Sequence, residues 1–188
     1  MLSNFKGQSY RLCDNWRSVI SEENVPINYL EIGTFYGANL ISVAKTYAKH
    51  KDSRLYCIDP WEDYTEYTEY KGQQPNIYST FLENIKINDL TEKTSVLRGF
   101  SHSEIVKLED NFFDIIYIDG NHTPRYVLED AVLSFRKLKP GGYMIFDDYM
   151  GGGVDYCCRA IHAFIDIYVK DITVYPHCIE DQIFIRKN

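Results

Sequence analysis

The chain has 188 residues, of which 45% are hydrophobic, and a formal net charge of −7. This length suits one compact domain covering residues 1–188 and leaves little room for a second core. The acidic balance disfavours a broad phosphate-binding surface, and no stretch approaches about eighteen consecutive apolar residues, so neither nucleic acid nor a membrane is an expected partner.

An N-terminal helical segment is the first predicted element, within residues 1–27. Leu12, Trp16 and Val19 recur at roughly helical spacing, and Pro26 ends the segment. We expect this helix to pack on a sheet or to cover a binding site.

A glycine turn follows the first predicted strand, residues 29–32, and precedes a predicted helix over 39–49. Gly33 and Gly37 bracket the turn in GxxxG spacing, and Phe35 stands where a dinucleotide fingerprint has its second glycine. A nicotinamide cofactor is therefore disfavoured. Backbone amides at such a helix start bind polar or anionic groups, although the turn alone is equally consistent with a structural role.

An acid ends the second predicted strand, residues 54–58. Asp59 lies roughly 20 to 25 residues beyond the glycine turn, where nucleoside-binding folds place an acid on the ribose hydroxyls. A helix or turn cap is the structural alternative. The combination of glycine turn and acid favours nucleoside binding.

The connection over residues 60–77 is polar, acidic and rich in tyrosine, contains the triplet TEY twice and has no clean period. Connections of this length in compact domains are usually functional lids or mobile loops. We expect a lid, with a mobile solvent-facing loop as the alternative. An apolar stripe then predicts a helix over residues 78–90.

A third strand is predicted over residues 94–97. Gly99 follows it and permits close approach by a ligand. Ser101 or Ser103 is predicted to cap a helix that begins near Glu104.

Two apolar runs in the second half of the chain each end in aspartate. Residues 115–118 precede Asp119, residues 143–146 precede Asp147 and Asp148, and an amphipathic segment separates them. This pattern predicts a strand, a crossover helix and a parallel strand. Ligands bind outside the carboxyl ends of such strands, so we expect the three carboxylates to converge; helix caps or solvated acids are the alternative.

Consecutive strand residues point to opposite faces, so Asp147 and Asp148 both reach one bound ligand only if the chain turns at the strand end. His122 lies three residues past Asp119 at the same edge. It is the candidate general base, because imidazole titrates near neutral pH. A backbone-bonded loop histidine and a partner of a metal ligand are the alternatives.

The last predicted elements are a helix and a hairpin. A triple-glycine turn precedes an apolar helical face from Val154 to Tyr168, and residues 172–175 and 182–185 alternate as an antiparallel hairpin. The predicted fold is α/β: a Rossmann-like, seven-stranded, mostly parallel sheet with helices on both faces and a C-terminal antiparallel hairpin.

The cysteines are odd in number, scattered and without CxxC spacing, and the start of the chain has no signal-peptide pattern. They are Cys13, Cys57, Cys157, Cys158 and Cys178. This usage favours a reducing compartment, so we expect a cytoplasmic protein.

The predicted architecture and its motifs resemble the class I S-adenosylmethionine-dependent methyltransferases. YLEIGTFYGANL resembles the family's glycine-rich cofactor loop, and IDP resembles its second-strand acid. IDGNH followed by LKPGGYMIFDDY resembles a subgroup of small-molecule O-methyltransferases related to macrolide-sugar and cephamycin-type enzymes, many of them magnesium-dependent. The resemblance covers residues 28–188.

The resemblance implies S-adenosyl-L-methionine as cofactor and Mg²⁺ as metal. It places Glu31, Gly33 and Gly37 at the methionine end, Asp59 at the ribose and the turn at 99–101 near the adenine. The full set of expected cofactor contacts is Glu31, Gly33, Thr34, Phe35, Tyr36, Gly37, Asp59, Gly99, Phe100, Ser101 and Asp119. The implied metal ligands are Asp119, Asp147 and Asp148.

The expected function is Mg-assisted O-methylation of a small polyhydroxylated acceptor, such as a sugar or a sugar-bearing metabolite. The ion would help the acceptor hydroxyl lose its proton, with His122 and Asp119 as the catalytic residues. One alternative is a metal-independent methyltransferase acting on a phenol or an amine. A non-catalytic nucleoside-binding module of the same fold is the other.

The segment before the first predicted strand, about 27 residues, is shorter than in relatives that act on large or decorated substrates. A second subunit, as in a homodimer, is therefore an expected contributor to the acceptor site.

Overall fold

The computed structural model describes residues 4–9, 13–64, 66–150, 157–175, 179 and 181–188. The strands are β1 (Asn28–Ile32), β2 (Arg54–Asp59), β3 (Thr94–Arg98), β4 (Phe113–Ile118), β5 (Leu138–Phe146), β6 (Ile172–Val174) and β7 (Ile183–Lys187). The α-helices are α1 (Ala38–Lys45), α2 (Gln74–Ile87), α3 (Ser101–Glu104), α4 (Pro124–Lys137) and α5 (Cys157–Tyr168). Short 3₁₀ helices cover Cys13–Ser18, Thr68–Tyr70, Thr91–Lys93 and Ile105–Lys107.

The strands form one sheet in the order β3-β2-β1-β4-β5-β7-β6. Strands β1 to β5 pair in parallel, and β7 is antiparallel to both of its neighbours. The predicted α/β fold with a closing hairpin is confirmed. The strand order reverses between β1 and β4, which makes the carboxyl ends of these two strands the expected ligand crevice.

Helices cover both faces of the sheet because its central strands are buried on both sides. Tyr29 faces a core cluster that includes residues of α1 and α2, whereas the next residue, Leu30, faces a second cluster that includes residues of α4 and α5. This alternation is the period of a strand. The near-continuous apolar runs in the sequence follow from it.

The described part of the predicted N-terminal helix is the 3₁₀ helix Cys13–Ser18, and Leu12 lies outside the described residues. Trp16 is fully buried, and its Nε1 donates to Gln182 Oε1 at 2.8 Å. The segment therefore packs against the sheet beside the start of β7.

Two local predictions are wrong. The helix α3 begins at Ser101 with Phe100 at the N-cap position, so neither Ser101 nor Ser103 caps it. The helix α1 ends at Lys45, where the Thr46 hydroxyl donates to the Ser42 carbonyl instead of the chain continuing as a helix.

Several sequence features lie outside the described residues, namely the triple-glycine turn, Val154 and Cys178. The four described cysteines are free thiols. Within the described ranges, no helix combines the length and the apolar character needed to cross a membrane.

Candidate active site

The glycine turn after β1 touches the end of β4. Ile32 pairs with Ile118 in the sheet, so the residues that follow them lie side by side. Gly33 has a φ of +83°, and a Cβ added there would lie 1.9 Å from the Asp119 carbonyl oxygen. Only glycine fits this contact. The predicted cofactor turn and the first predicted acid are therefore neighbours in space.

Asp59, at the end of β2, holds the glycine turn in place. Its Oδ2 accepts hydrogen bonds from the amides of Thr34 and Phe35 at 3.0 and 2.8 Å, and its Oδ1 accepts one from the Trp61 amide at 2.8 Å. Burial raises the pKa of Asp59, and these amides oppose the shift. Oδ1 retains an acceptor position for a further donor, so the predicted ribose contact is compatible with the geometry.

Glu31 is buried two residues before Gly33. The Tyr29 hydroxyl donates to its Oε2 at 2.6 Å, and Asn39 Nδ2 donates to the same oxygen at 3.2 Å. Burial raises the pKa of Glu31 to about 8. The Glu31 side chain thus belongs to a buried polar network under the turn, and its predicted contact with the methionine end stays a prediction.

Aromatic rings join the turn to the connection between β2 and α2. Phe35, with a φ of +52°, has its ring centroid 4.3 Å from that of Tyr36 and 5.1 Å from that of Tyr70. Tyr70 in turn lies 6.1 Å from Tyr67. The described part of the connection therefore lies on the glycine turn.

The N-terminal residues 4–9 cover the other side of this turn. The fully buried Asn84 of α2 accepts from the Lys6 amide at 2.9 Å and donates to the carbonyls of Lys6 and Tyr36 at 2.9 and 3.0 Å. A Cβ added to Gly7 would lie 2.6 Å from the Tyr36 ring. The sequence interpretation missed Asn84, since a single asparagine on a helix carries no distinctive pattern.

The turn predicted to approach adenine lies next to Asp59. The Gly99 amide donates to the Asp59 carbonyl at 3.2 Å, and the Phe100 side chain is 46% exposed. Ser101 begins α3 directly after it. The turn, the acid and Gly37, which stands at the N-cap of α1 with a φ of +83°, thus border one edge of the sheet.

Asp119, His122 and Asp148 form a compact cluster beyond the ends of β4 and β5. One ligand atom from each lies within 4.8 Å of the others. His122 Nε2 is 2.8 Å from Asp148 Oδ2 and 3.6 Å from Asp119 Oδ1. Asp148 reaches the cluster because its backbone turns into the left-handed region, with a φ of +51°.

Asp147 lies outside this cluster. Its side chain is mostly buried, and the Tyr117 hydroxyl bonds to its carboxylate. The structure therefore brings together two of the three predicted metal ligands, with His122 as the third member of the group.

Glu66 and Tyr67 of the connection contact the other side of the His122 ring. Nδ1 lies 2.8 Å from Glu66 Oε1 and 3.1 Å from the Tyr67 hydroxyl. Burial lowers the pKa of His122, but the contacts with Asp119, Asp148 and Glu66 outweigh this and raise it well above its usual range. These contacts therefore favour the protonated form of the His122 ring, and burial raises the pKa of Asp119.

A comparison with known protein families identifies the family of this chain. A family model described as a methyltransferase domain matches residues 30–149, more than half of the chain. The chain belongs to this methyltransferase family. The matched region contains the glycine turn, Asp59 and the whole Asp119–His122–Asp148 cluster.

Solved methyltransferases share the fold of this methyltransferase domain. The O-methyltransferase NovP aligns with a TM-score of 0.68 at 16% identity, over 88% of this chain and 73% of NovP. The Podospora anserina methyltransferase PaMTH1, solved with S-adenosylhomocysteine, aligns at 0.63 and 16%, over 87% and 72%. The O-methyltransferase TomG of Streptomyces achromogenes, solved with S-adenosylmethionine, aligns at 0.63 and 16%, over 85% and 72%.

One sequence relative is an uncharacterised protein of Acanthamoeba polyphaga mimivirus. It is 27% identical to this chain over 144 residues, which cover 74% of this chain and 58% of the viral protein. The chain thus spans little more than half the length of that relative.

Asp130 is a further buried acid of the methyltransferase domain that the sequence interpretation did not single out. It lies on α4 at 2% exposure, its Oδ1 has no hydrogen-bond partner among the described residues, and burial raises its pKa to about 7. A Cβ added to Gly120 would lie 3.3 Å from its Oδ2. The sequence pattern that could have identified Asp130 is its position beside Val127 and Ala131 on the apolar face of the helix.

Proposed function

We propose that this domain transfers the methyl group of S-adenosylmethionine to an oxygen of a small polyhydroxylated acceptor, with a divalent cation at Asp119 and Asp148. The observation that carries the proposal is the contact between Gly33 and Asp119, which sets the cofactor turn directly beside the carboxylate cluster. Methyl donor and acceptor must meet at such a boundary, because the reaction is an in-line displacement.

The choice of cofactor is supported by three features at one sheet edge. These are the glycine turn, Asp59 and the turn at 99–101, and the last two are joined by the hydrogen bond from Gly99 to Asp59. PaMTH1 and TomG were solved with S-adenosylhomocysteine and S-adenosylmethionine, respectively, and share the fold. The acceptor class is supported by the resemblance of the DGNH and DDY motifs to enzymes that methylate sugars.

The cluster fits a divalent cation. One side-chain atom each of Asp119, His122 and Asp148 lies within 4.8 Å of the other two. Among the described residues, no atom makes a hydrogen bond with the buried His122 Nε2. The contact of this atom with Asp148 is an ion pair without hydrogen-bond geometry. Asp119 and Asp148 offer carboxylate oxygens, which suit Mg²⁺ or Mn²⁺, and His122 Nε2 stays outside the ligand set because it is the proposed proton acceptor. Asp147 remains a predicted ligand, and joining the set would require its carboxylate to leave Tyr117.

In the proposed reaction, the acceptor oxygen attacks the methyl carbon, the carbon–sulfur bond breaks, and S-adenosylhomocysteine leaves. A bound divalent cation would offset the charge of Asp119 and Asp148 and stabilise the developing alkoxide. His122 takes the hydroxyl proton at Nε2, while Glu66 keeps the hydrogen bond at Nδ1. A protonated His122 ring cannot accept this proton. His122 therefore acts as a base only when the charge of Asp119 and Asp148 is offset and no longer stabilises the imidazolium.

The Asp119→Asn/Asp148→Asn double variant tests this function. We expect methyl transfer to a panel of sugars and glycosides to fall at least about 100-fold, because the variant lacks the two carboxylates that would hold the cation and so loses the stabilisation of the developing alkoxide. Calorimetry should show S-adenosylhomocysteine binding within a few fold of wild type. Asp166→Asn, at an exposed position of α5, is the matched control and should retain full activity.

Excess chelator separates the metal-assisted function from its alternative. Activity should disappear with chelator and return with Mg²⁺ or Mn²⁺. Undiminished transfer to phenols or amines in chelator would favour the metal-independent enzyme, and cofactor binding without transfer to any acceptor would favour a binding module.

A further inference from the structure

We propose that Glu66 is a positioning residue that fixes the orientation of the His122 ring, so that the connection between β2 and α2 forms part of the proton-accepting site. The inference rests on the proposed role of His122. It assigns a task to a residue of the connection that no motif identifies.

One carboxylate holds both the backbone and the ring of His122. The two Glu66 oxygens accept from the His122 amide at 3.1 and 3.2 Å, and Oε1 also accepts from Nδ1 at 2.8 Å. The two side chains are only 19% and 17% exposed, so water competes weakly for these contacts. A carboxylate has no proton to donate, so Nδ1 carries the hydrogen in this contact.

The contact decides which ring atom faces the cluster. With Nδ1 bonded to Glu66, Nε2 lies 2.8 Å from Asp148 and 3.6 Å from Asp119. The ring torsion of histidine has broad, roughly two-fold minima, and half a turn would exchange Nε2 for a carbon atom. A proton acceptor must be within hydrogen-bond reach of its donor, so that half-turn removes the base from the site. Catalytic bases are commonly oriented by a third group in this way.

The position of Glu66 is tied to the cofactor side of the site. Tyr67 packs edge-on against the His122 ring, with centroids 5.8 Å apart, and Tyr70 packs on Phe35 of the glycine turn. The Tyr70 hydroxyl donates to Gln8 at 2.9 Å. The same stretch of chain thus contacts the cofactor turn and the catalytic ring.

Glu66→Ala, Glu66→Gln and Glu69→Gln test the proposal. Glu66 and Glu69 occupy the same place in the two consecutive TEY triplets, and Glu69 is exposed, so Glu69→Gln is a matched control. We expect kcat to fall about 10- to 100-fold in Glu66→Ala, the usual cost of losing an orienting partner. KM for S-adenosylmethionine should change less than about two-fold. Glu66→Gln should recover part of kcat, because its amide oxygen still accepts from Nδ1.

Nitrogen-15 NMR of histidine-labelled protein gives a readout that does not depend on turnover. The ring signals of His122 are assigned by their loss in His122→Gln. They should show a hydrogen-bonded Nδ1–H in wild type and in Glu69→Gln, and this signal should move or vanish in Glu66→Ala. Unchanged His122 signals in Glu66→Ala, or changed signals with wild-type kcat, would overturn the positioning role.

Failure of the proposed function has a different signature. Full activity in His122→Gln would contradict the role of His122 as base while leaving the Glu66 contact visible by NMR. Thermal unfolding of each variant and its affinity for S-adenosylhomocysteine show whether a loss of kcat arises from a loss of folding.

Discussion

At the residue scale, Gly33 sets the distance between the glycine turn after β1 and the acid cluster. Its φ of +83° and the 1.9 Å approach of an added Cβ to the Asp119 carbonyl leave no room for a side chain. The Cβ is fixed to the backbone of residue 33 and the oxygen is part of the backbone of Asp119, so no side-chain rotation relieves the clash. Gly33→Ala must therefore displace the turn or the end of β4. We expect S-adenosylhomocysteine affinity to fall at least about ten-fold by calorimetry, and unfolding free energy to fall by about 2–4 kcal/mol.

Gly72→Ala is the matched control for this prediction. Gly72 has a φ of +76°, but nothing lies within 4 Å of an added Cβ. The variant keeps the left-handed strain and lacks the clash, so it should lose only about 1 kcal/mol and bind the cofactor normally. Equal cofactor affinity in Gly33→Ala and wild type would contradict the assignment of this turn.

At the element scale, α2 anchors the N-terminal residues 4–9 over the glycine turn through Asn84. Asn84→Ala removes three hydrogen bonds and leaves backbone groups of Lys6 and Tyr36 without these partners. Unsatisfied buried groups cost about 1–3 kcal/mol each, but these groups are only partly buried, so we expect a total loss of about 2–3 kcal/mol in urea unfolding. Cofactor affinity should also fall, because Tyr36 belongs to the turn.

Asn76→Ala, on the exposed side of the same helix, controls for the loss of an amide and should change stability by less than about 0.5 kcal/mol. If both variants unfold at the same urea concentration, the anchoring role of α2 is wrong. The two substitutions differ in burial, so the comparison isolates the contacts of Asn84.

The elements themselves were largely predictable from apolar periodicity. Strands β1 and β4, buried on both faces, give short and mostly apolar runs, and α4 gives a clear amphipathic stripe. The start of α3 was not predictable, because either serine before Glu104 resembles a cap. The structure uses neither, and Phe100 occupies that position without a side-chain hydrogen bond.

At the scale of the whole molecule, the sequence predicted which strand ends would meet and left open which side chains would touch. The convergence of Asp119 and Asp148 follows from parallel neighbouring strands. The separation of Asp147 from Asp148 depends on a positive φ at Asp148, which single-sequence propensities do not specify. The pairing of Glu66 with His122 spans 56 residues and requires the folded connection, so no local pattern encodes it.

The pH dependence of global stability reports on Asp130. Burial raises its pKa from 3.8 to about 7, so the native state binds its proton more tightly than the unfolded chain does. The loss of stability caused by ionising the buried Asp130 is absent below about pH 4, grows as the pH rises, and is complete above about pH 7. Asp130→Asn keeps the shape and removes the titration. Between pH 5 and 8, the unfolding free energy of the variant should gain about 2 kcal/mol relative to wild type. If urea unfolding gives the same difference in unfolding free energy between Asp130→Asn and wild type at both pH values, the native carboxyl ionises as easily as in the unfolded chain.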